Sequence, residues 1–233
     1  KKIVTRWKEQ LAASGCQAVT VNGKISAVNK FFTFLGWTDC RVKYLRIQRR
    51  MFRNTERELT KDEYSRLVET AQSLGRERLA LLIETICATG IRVSEVRYIT
   101  IEATQSGRAD IALKGKIRTI LLPGKLCRKL LKYARKKKIA SGEIFLTRSG
   151  RGLSRRQIWA EMKAICARAG VEKTKVFPHN LRHLFARTFY RACRDVARLA
   201  DVLGHSSIET TRIYLISSGV EHARQLERLG LIS

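Results

Sequence analysis

The stretch from Pro178 to Tyr214, PHNLRHLFARTFYRACRDVARLADVLGHSSIETTRIY, decides how this chain is read. It holds three of the chain's four histidines, in PHNLRH and LGH, a concentration that random placement seldom gives. His179, Arg182 and His183 stand at i, i+3 and i+4, so on a helix begun at Pro178 they share one face. A single histidine is more often a satisfied structural residue than a catalyst; the clustering turns the balance toward a site. Tyr214 lies nine residues after His205, and a short capped helix between them would present the phenol beside the imidazoles. A phenol of ordinary pKa, near ~10, is a poor nucleophile at neutral pH and needs a nearby base or a cationic field.

Two upstream fragments complete the chemistry. Arg92, in ATGIRVSE, follows a helix stop at Gly90, where a short loop can aim a rigid two-donor fork at a phosphate. Lys114, in LKGKIRT, sits at the apparent tip of a hairpin beside Gly115. Basic hairpin tips usually make only nonspecific phosphate contacts, but an ammonium is also a competent general acid toward a leaving alkoxide when its pKa is lowered. Two guanidiniums, an ammonium, imidazoles and a lone phenol form a kit for attacking a phosphodiester without metal ligands.

Composition points to the same partner. With 47 Lys+Arg against 20 Asp+Glu, the formal net charge of +27 would repel itself in a compact fold unless a polyanion compensates it. Basic residues are interleaved with apolar ones throughout, and the longest basic block runs only from Arg135 to Lys138, so the charge reads as a lining of folded helices rather than a tail. Cys16, Cys40, Cys87, Cys127, Cys166 and Cys193 show no CxxC or Cys/His ligand pattern and read as reduced thiols. No apolar run approaches the ~20 residues of a membrane span and no signal peptide opens the chain, from which a cytoplasmic, nucleoid-associated location is expected.

Along the chain, residues 1–45 read as a small helical unit, with Ile3, Trp7 and Leu11 on one helix face and Val21, Ile25, Val28, Phe32 and Leu35 on the next before Gly36. Residues 46–58 form a basic connector carrying Arg46, Arg49, Arg50, Arg53 and Arg57. Thr60 and Glu63 make a capping box that restarts the fold, and an apolar helix over Arg78 to Thr89 stops at Gly90. Ile111 to Leu122 alternates as a β-hairpin, and Ile144 to Leu146 is a further strand candidate. Capping-box spacing at Ser154/Gln157, Ser206/Glu209 and Ser218/Glu221 predicts helices from about 155, 207 and 219. The fold class expected is mainly α with a small antiparallel β-sheet.

TGIRVSE, the KGK hairpin, HNLRH and LGHSSIETTRIY, in this order, resemble the tyrosine recombinases, the integrase family that includes Xer proteins, phage integrases and integrases of conjugative transposons. The resemblance implies a two-domain, C-shaped DNA clamp: a helical core-binding domain over 1–45, N-terminally truncated against the family's usual size, and a catalytic domain over 59–233 ending in a helix from about 219. It implies that Arg92 and Arg182 grip the scissile phosphate, that His205 adds a hydrogen bond to it, and that His179 is the base for the nucleophile Tyr214. Lys114, taken ahead of Lys116 in a hairpin one residue shorter than the common GKGxKxR pattern, would be the acid. Glu95 and His183 would support the site, His183 buttressing it against Glu95.

The implied reaction passes through a 3'-phosphotyrosyl enzyme and a Holliday junction, with neither ATP nor a divalent metal as cofactor. Its partners would be double-stranded DNA with a specific target site and, on synapsed DNA, three more protomers; the free protein would be a monomer. Arg46, Arg49, Arg50, Arg53, Lys116, Arg118, Arg148, Arg151, Arg155 and Arg156 are the expected phosphate contacts, which position rather than specify. A type IB topoisomerase, or a noncatalytic DNA-binding protein with this fold, are the competing readings.

Overall fold

The computed structural model describes residues 1–47, 56–113, 116–205, 207–214 and 227–229. The chain divides into two compact units, Lys1–Met51 and Phe52–Ser233.

The first unit pairs α1 (Lys2–Ala13) with α2 (Ala18–Phe34). Val21 and Ile25 are fully buried on α2, as the apolar stripe predicts, whereas Ile3 and Leu35, assigned to core faces, are exposed because these helices have no neighbour on that side among the described residues of the unit. The stripe did not reveal two asparagines on the same helix. Asn29 donates from Nδ2 to Val42 O and accepts from Val42 N, both at 2.9 Å, and Asn22 does the same with Leu45 at 2.9 and 2.8 Å. Each amide thus mimics one rung of a β-ladder and satisfies the backbone of the extended segment leaving the unit, where an unpaired buried group would cost ~1–3 kcal/mol.

The second unit opens at α3 (Lys61–Ser73), where Thr60 and Glu63 form the full reciprocal capping box. It continues through α4 (Glu77–Thr89), α5 (Ile101–Ser106), a hairpin of β1 (Arg108–Leu113) and β2 (Lys116–Leu121), α6 (Gly124–Lys136), α7 (Arg155–Lys163), α8 (Pro178–Cys193), α9 (Val196–Leu203) and α10 (Ile208–Arg212). Helix α4 is buried on almost every side, with Leu79 through Ile83 inaccessible, and it packs on α3, α6 and α8 as the axis of the core. Asn180 and Arg187 of α8 reach back to the carbonyls of Arg57 and Leu59, and Arg187 pairs with Glu58, so the end of the connector is stitched to the helix that carries PHNLRH.

The hairpin is antiparallel with Ile111 opposite Arg118, and begins three residues earlier than the alternation suggested. Ile144–Leu146 is not a strand: within it only Leu146 makes an isolated bridge, with Gly152, and Thr100 bridges the preceding Glu143, because Leu146 turns straight into the Thr147–Arg151 loop. The helix expected near 207 starts at Ile208 and is capped by Ser207, which accepts from the Glu209 amide. Ser206, Arg49, Arg50, Arg53, Lys114, the side chain of Lys116 and, apart from residues 227–229, the helix expected from 219 lie outside the described residues.

Candidate active site

Three turns bring the site together. Helix α4 ends at Gly90 in the left-handed region, φ 64°, and a Cβ there would lie 2.4 Å from Phe185 Cδ1 on α8, so only glycine allows both the stop and the close approach. The chain then turns through a short 3-10 segment, Val93–Tyr98, with Arg92 as its first flanking residue. Helix α9 ends the same way at Gly204, φ 63°, which delivers His205. Proline at the first position starts α8 and sets His179, Arg182 and His183 on its first turns.

Arg182 is the centre. It is 2% exposed and donates to the carbonyls of Gly90 and Leu203, the latter at 2.8 Å, which are the last carbonyls of the two helix ends. Its Nη2 also lies 2.9 Å from His205 Nε2. A guanidinium can only donate, so Nε2 accepts and the ring proton sits on Nδ1, which donates to Thr211 Oγ1 at 2.9 Å. Burial first, then Arg182, Arg92 and Arg118, hold His205 down at about 4, in keeping with that neutral tautomer.

Arg92 is more open, with 43% of its side chain exposed. Its Nη1 meets Glu95 Oε1 at 2.9 Å, its backbone amide donates to Glu95 Oε2 at 2.8 Å, and Nη2 reaches Gly204 O at 3.4 Å. Glu95 is 1% exposed, so the one buried carboxylate of this cluster balances the arginines around it.

Tyr214 is 4% exposed and packs with Ala186, Leu199 and Leu203. Its ring stacks on His205, centroids 5.9 Å apart at 13°, and meets His183 edge-on at 4.6 Å. His183 in turn meets His179 edge-on at 4.5 Å. Burial, His179 and nearby arginines push His183 down to about 3, and burial, Arg182 and Arg92 lower His179. All three histidines therefore enter neutral solution uncharged.

Two sequence expectations are corrected. His183 packs on His179 and Tyr214 rather than bracing Glu95, whose carboxylate is taken by Arg92 and Arg118. Arg118, expected on the DNA surface, turns inward: its side chain is 12% exposed, pairs with Glu95 at 3.5 Å and donates to Leu203 O at 2.6 Å. The alternation of β2 holds the signal, since Arg118 shares a face with buried Ile120 while Ile117 and Leu121 are exposed. Thr211 and Gly204 were likewise missed. Arg46, Arg148, Arg151, Arg155 and Arg156 are exposed, with Arg155 and Arg156 on the first turn of α7.

Paired arginines, uncharged imidazoles and a buried phenol thus meet on one framework. The sequence signature of the phage integrase family matches residues 57–219, and the chain belongs to that family, a tyrosine recombinase that exchanges DNA strands. It is 29% identical to tyrosine recombinase XerA of Pyrococcus furiosus, over 96% of this chain and 81% of that protein. It is also 29% identical to tyrosine recombinase XerD of Agrobacterium fabrum, over 88% of this chain and 72% of that one. The XerH site-specific recombinase in its post-cleavage complex with palindromic difH substrate shares the fold, with a TM-score of 0.71 at 21% identity, over 98% of this chain and 72% of that chain. No helix among the described residues is long and apolar enough to cross a membrane.

Proposed function

We propose that this protein is a site-specific recombinase, an integrase or excisionase of a mobile element, in which Tyr214 cleaves DNA and Arg92 and Arg182 bind the scissile phosphate. The observation that carries the reading is the meeting of Arg182, His205 and Tyr214 at one point, from three separate elements. The Tyr214 oxygen attacks phosphorus, a 3'-phosphotyrosyl bond forms, and the bond to the 5'-oxygen breaks. The phenol proton passes to an uncharged imidazole; His179 is assigned that role, because His183 at about 3 and His205 at about 4 are poor bases. Lys114 gives the proton that the departing 5'-oxygen needs. The 5'-hydroxyl of a partner strand reverses the step, so the covalent link conserves the bond energy and no ATP is consumed.

Charge building on the nonbridging oxygens is met by Arg92 and Arg182, and such preorganised donors are each worth ~10²–10³-fold in rate. A bound phosphate also changes His205: its negative charge opposes the depression and favours an imidazolium whose Nε2–H donates to the phosphate. Two rounds of exchange through a Holliday junction, with four protomers on two duplexes, complete recombination. The family match favours this over strand relaxation by a topoisomerase.

On a denaturing gel, the protein should form a covalent adduct with a nicked duplex carrying its site, and Tyr214→Phe should abolish the adduct while leaving binding intact. No wild-type adduct on that duplex would overturn the proposal. Binding should also fall steeply with salt, because each neutralised phosphate releases condensed counterions.

A further inference from the structure

Among the described residues of the site, Arg118 is a buried cation that the reaction above leaves without a role. Its guanidinium touches the acceptors of both phosphate-binding arginines. Leu203 O accepts from Arg118 Nη1 at 2.6 Å and from Arg182 Nη2 at 2.8 Å. Glu95 Oε1 takes Arg92 Nη1 at 2.9 Å and lies 3.5 Å from Arg118 Nη1. The same side chain walls the turn that delivers His205: a Cβ on Gly204 would lie 2.2 Å from Arg118 Cδ.

We propose that Arg118 is a positioning residue for catalysis, which sets the spacing of Arg92 and Arg182 by sharing one acceptor with each. The proposal rests on the assignment of those two arginines to the scissile phosphate.

Arg92 and Arg118 converge on one buried carboxylate and Arg182 feels both Arg92 and that carboxylate, so without a fixed arrangement Arg92 and Arg182 would separate by mutual repulsion. Arg118 stays protonated at neutral pH, since burial, opposed by Glu95, lowers its pKa only to about 10. It binds through Nη1 alone; Nε and Nη2 are buried and have no hydrogen-bond partner among the described residues. One donor at the right place is therefore the working part, and a lysine ammonium reproduces that donor with a shorter reach.

The test measures adduct formation on the nicked site duplex at saturating protein, with binding and melting followed in parallel. For Arg118→Ala the saturated cleavage rate should fall ~10- to 100-fold, the size of effect that small misplacement of a catalytic group produces. The dissociation constant and its salt slope should stay at the wild-type values, and Arg118→Lys should recover part of the rate. Gly204→Ala should slow the wild type through both its contact with Arg118 Cδ and the strain of its positive φ, and should slow Arg118→Ala less, because only the strain remains.

An undiminished rate in Arg118→Ala beside a normal wild-type adduct would overturn the positioning role and leave the recombinase reading intact. A weaker dissociation constant and shallower salt slope with an unchanged saturated rate would make Arg118 a DNA contact instead. Equal loss in the Ala and Lys variants that tracks their melting would make it purely structural. Absence of the wild-type adduct would overturn the recombinase reading, and this one with it.

Discussion

The two halves of the site are held by different forces. On the α8 to α10 side, the ring of Tyr214 packs with those of His183, His179 and His205, and burial keeps the three imidazoles uncharged. On the α4 and hairpin side, Arg92 and Arg118 lean on one buried carboxylate, Glu95. Arg182 joins them, rising from the ring side and ending on the carbonyls of both helix stops. The Tyr214 half is thus fixed by packing, which tolerates the loss of charge, and the Arg92 half by charge balance, which tolerates little else.

Replacing the joint should cause the largest combined loss. Arg182→Ala is expected to slow cleavage ~10²–10³-fold and to destabilise the fold by ~3 kcal/mol, because it leaves the acceptors at Gly90 O and His205 Nε2 without this donor and Leu203 O with Arg118 alone. Arg92→Ala should slow cleavage comparably but cost only ~1 kcal/mol or less in urea unfolding, since its side chain is 43% exposed and Glu95 keeps Arg118. Equal destabilisation by the two would erase the distinction between joint and rim. Glu95→Ala comes next, with ~3 kcal/mol expected from the uncompensated, largely buried guanidinium of Arg118; a fold as stable as wild type would show that solvent, not Glu95, balances it.

Acid should act on the ring side. The folded pKa values of His183 and His205, about 3 and about 4, lie below the ordinary 6.5, so the unfolded chain binds more protons in that range. Their contribution is fully present above about pH 6.5 and is lost progressively as pH falls through the folded values. The melting temperature of the DNA-free protein should drop across that window, and His183→Phe, which keeps a ring against Tyr214, should flatten the drop. An unaltered acid profile in that variant would place the acid sensitivity elsewhere. The smallest effect is expected for Thr211→Val, ~1 kcal/mol for the lost acceptor of His205 Nδ1, read as a modest shift in melting.

The ring side was legible because its residues lie within one stretch, 178–214, whose helical spacing places them on shared faces. The charged side was only half legible. Arg92 could be found from the helix stop before it, but its carboxylate partner also serves Arg118, and that link spans the hairpin. Reading Arg118 by its charge sent it to the surface; reading it by strand alternation sends it inward with Ile120. Local ambiguity explains the smaller differences. Adjacent serines 206 and 207 both offer a cap, and only the backbone decides for Ser207. Asn22 and Asn29 gave no signal, because their partners are the main chain of a segment 13 to 23 residues away.

The most direct test of the central claim is to map the covalent bond itself. Wild-type protein would be incubated with a pool of nicked duplexes of randomised sequence, the DNA-linked species recovered under denaturing conditions, and the attached peptide identified by mass spectrometry. The phosphodiester should lie on Tyr214, joined to a 3'-phosphate, and the trapped DNA should converge on one sequence. Linkage to another tyrosine, such as Tyr190, or to a 5'-phosphate, would contradict the account.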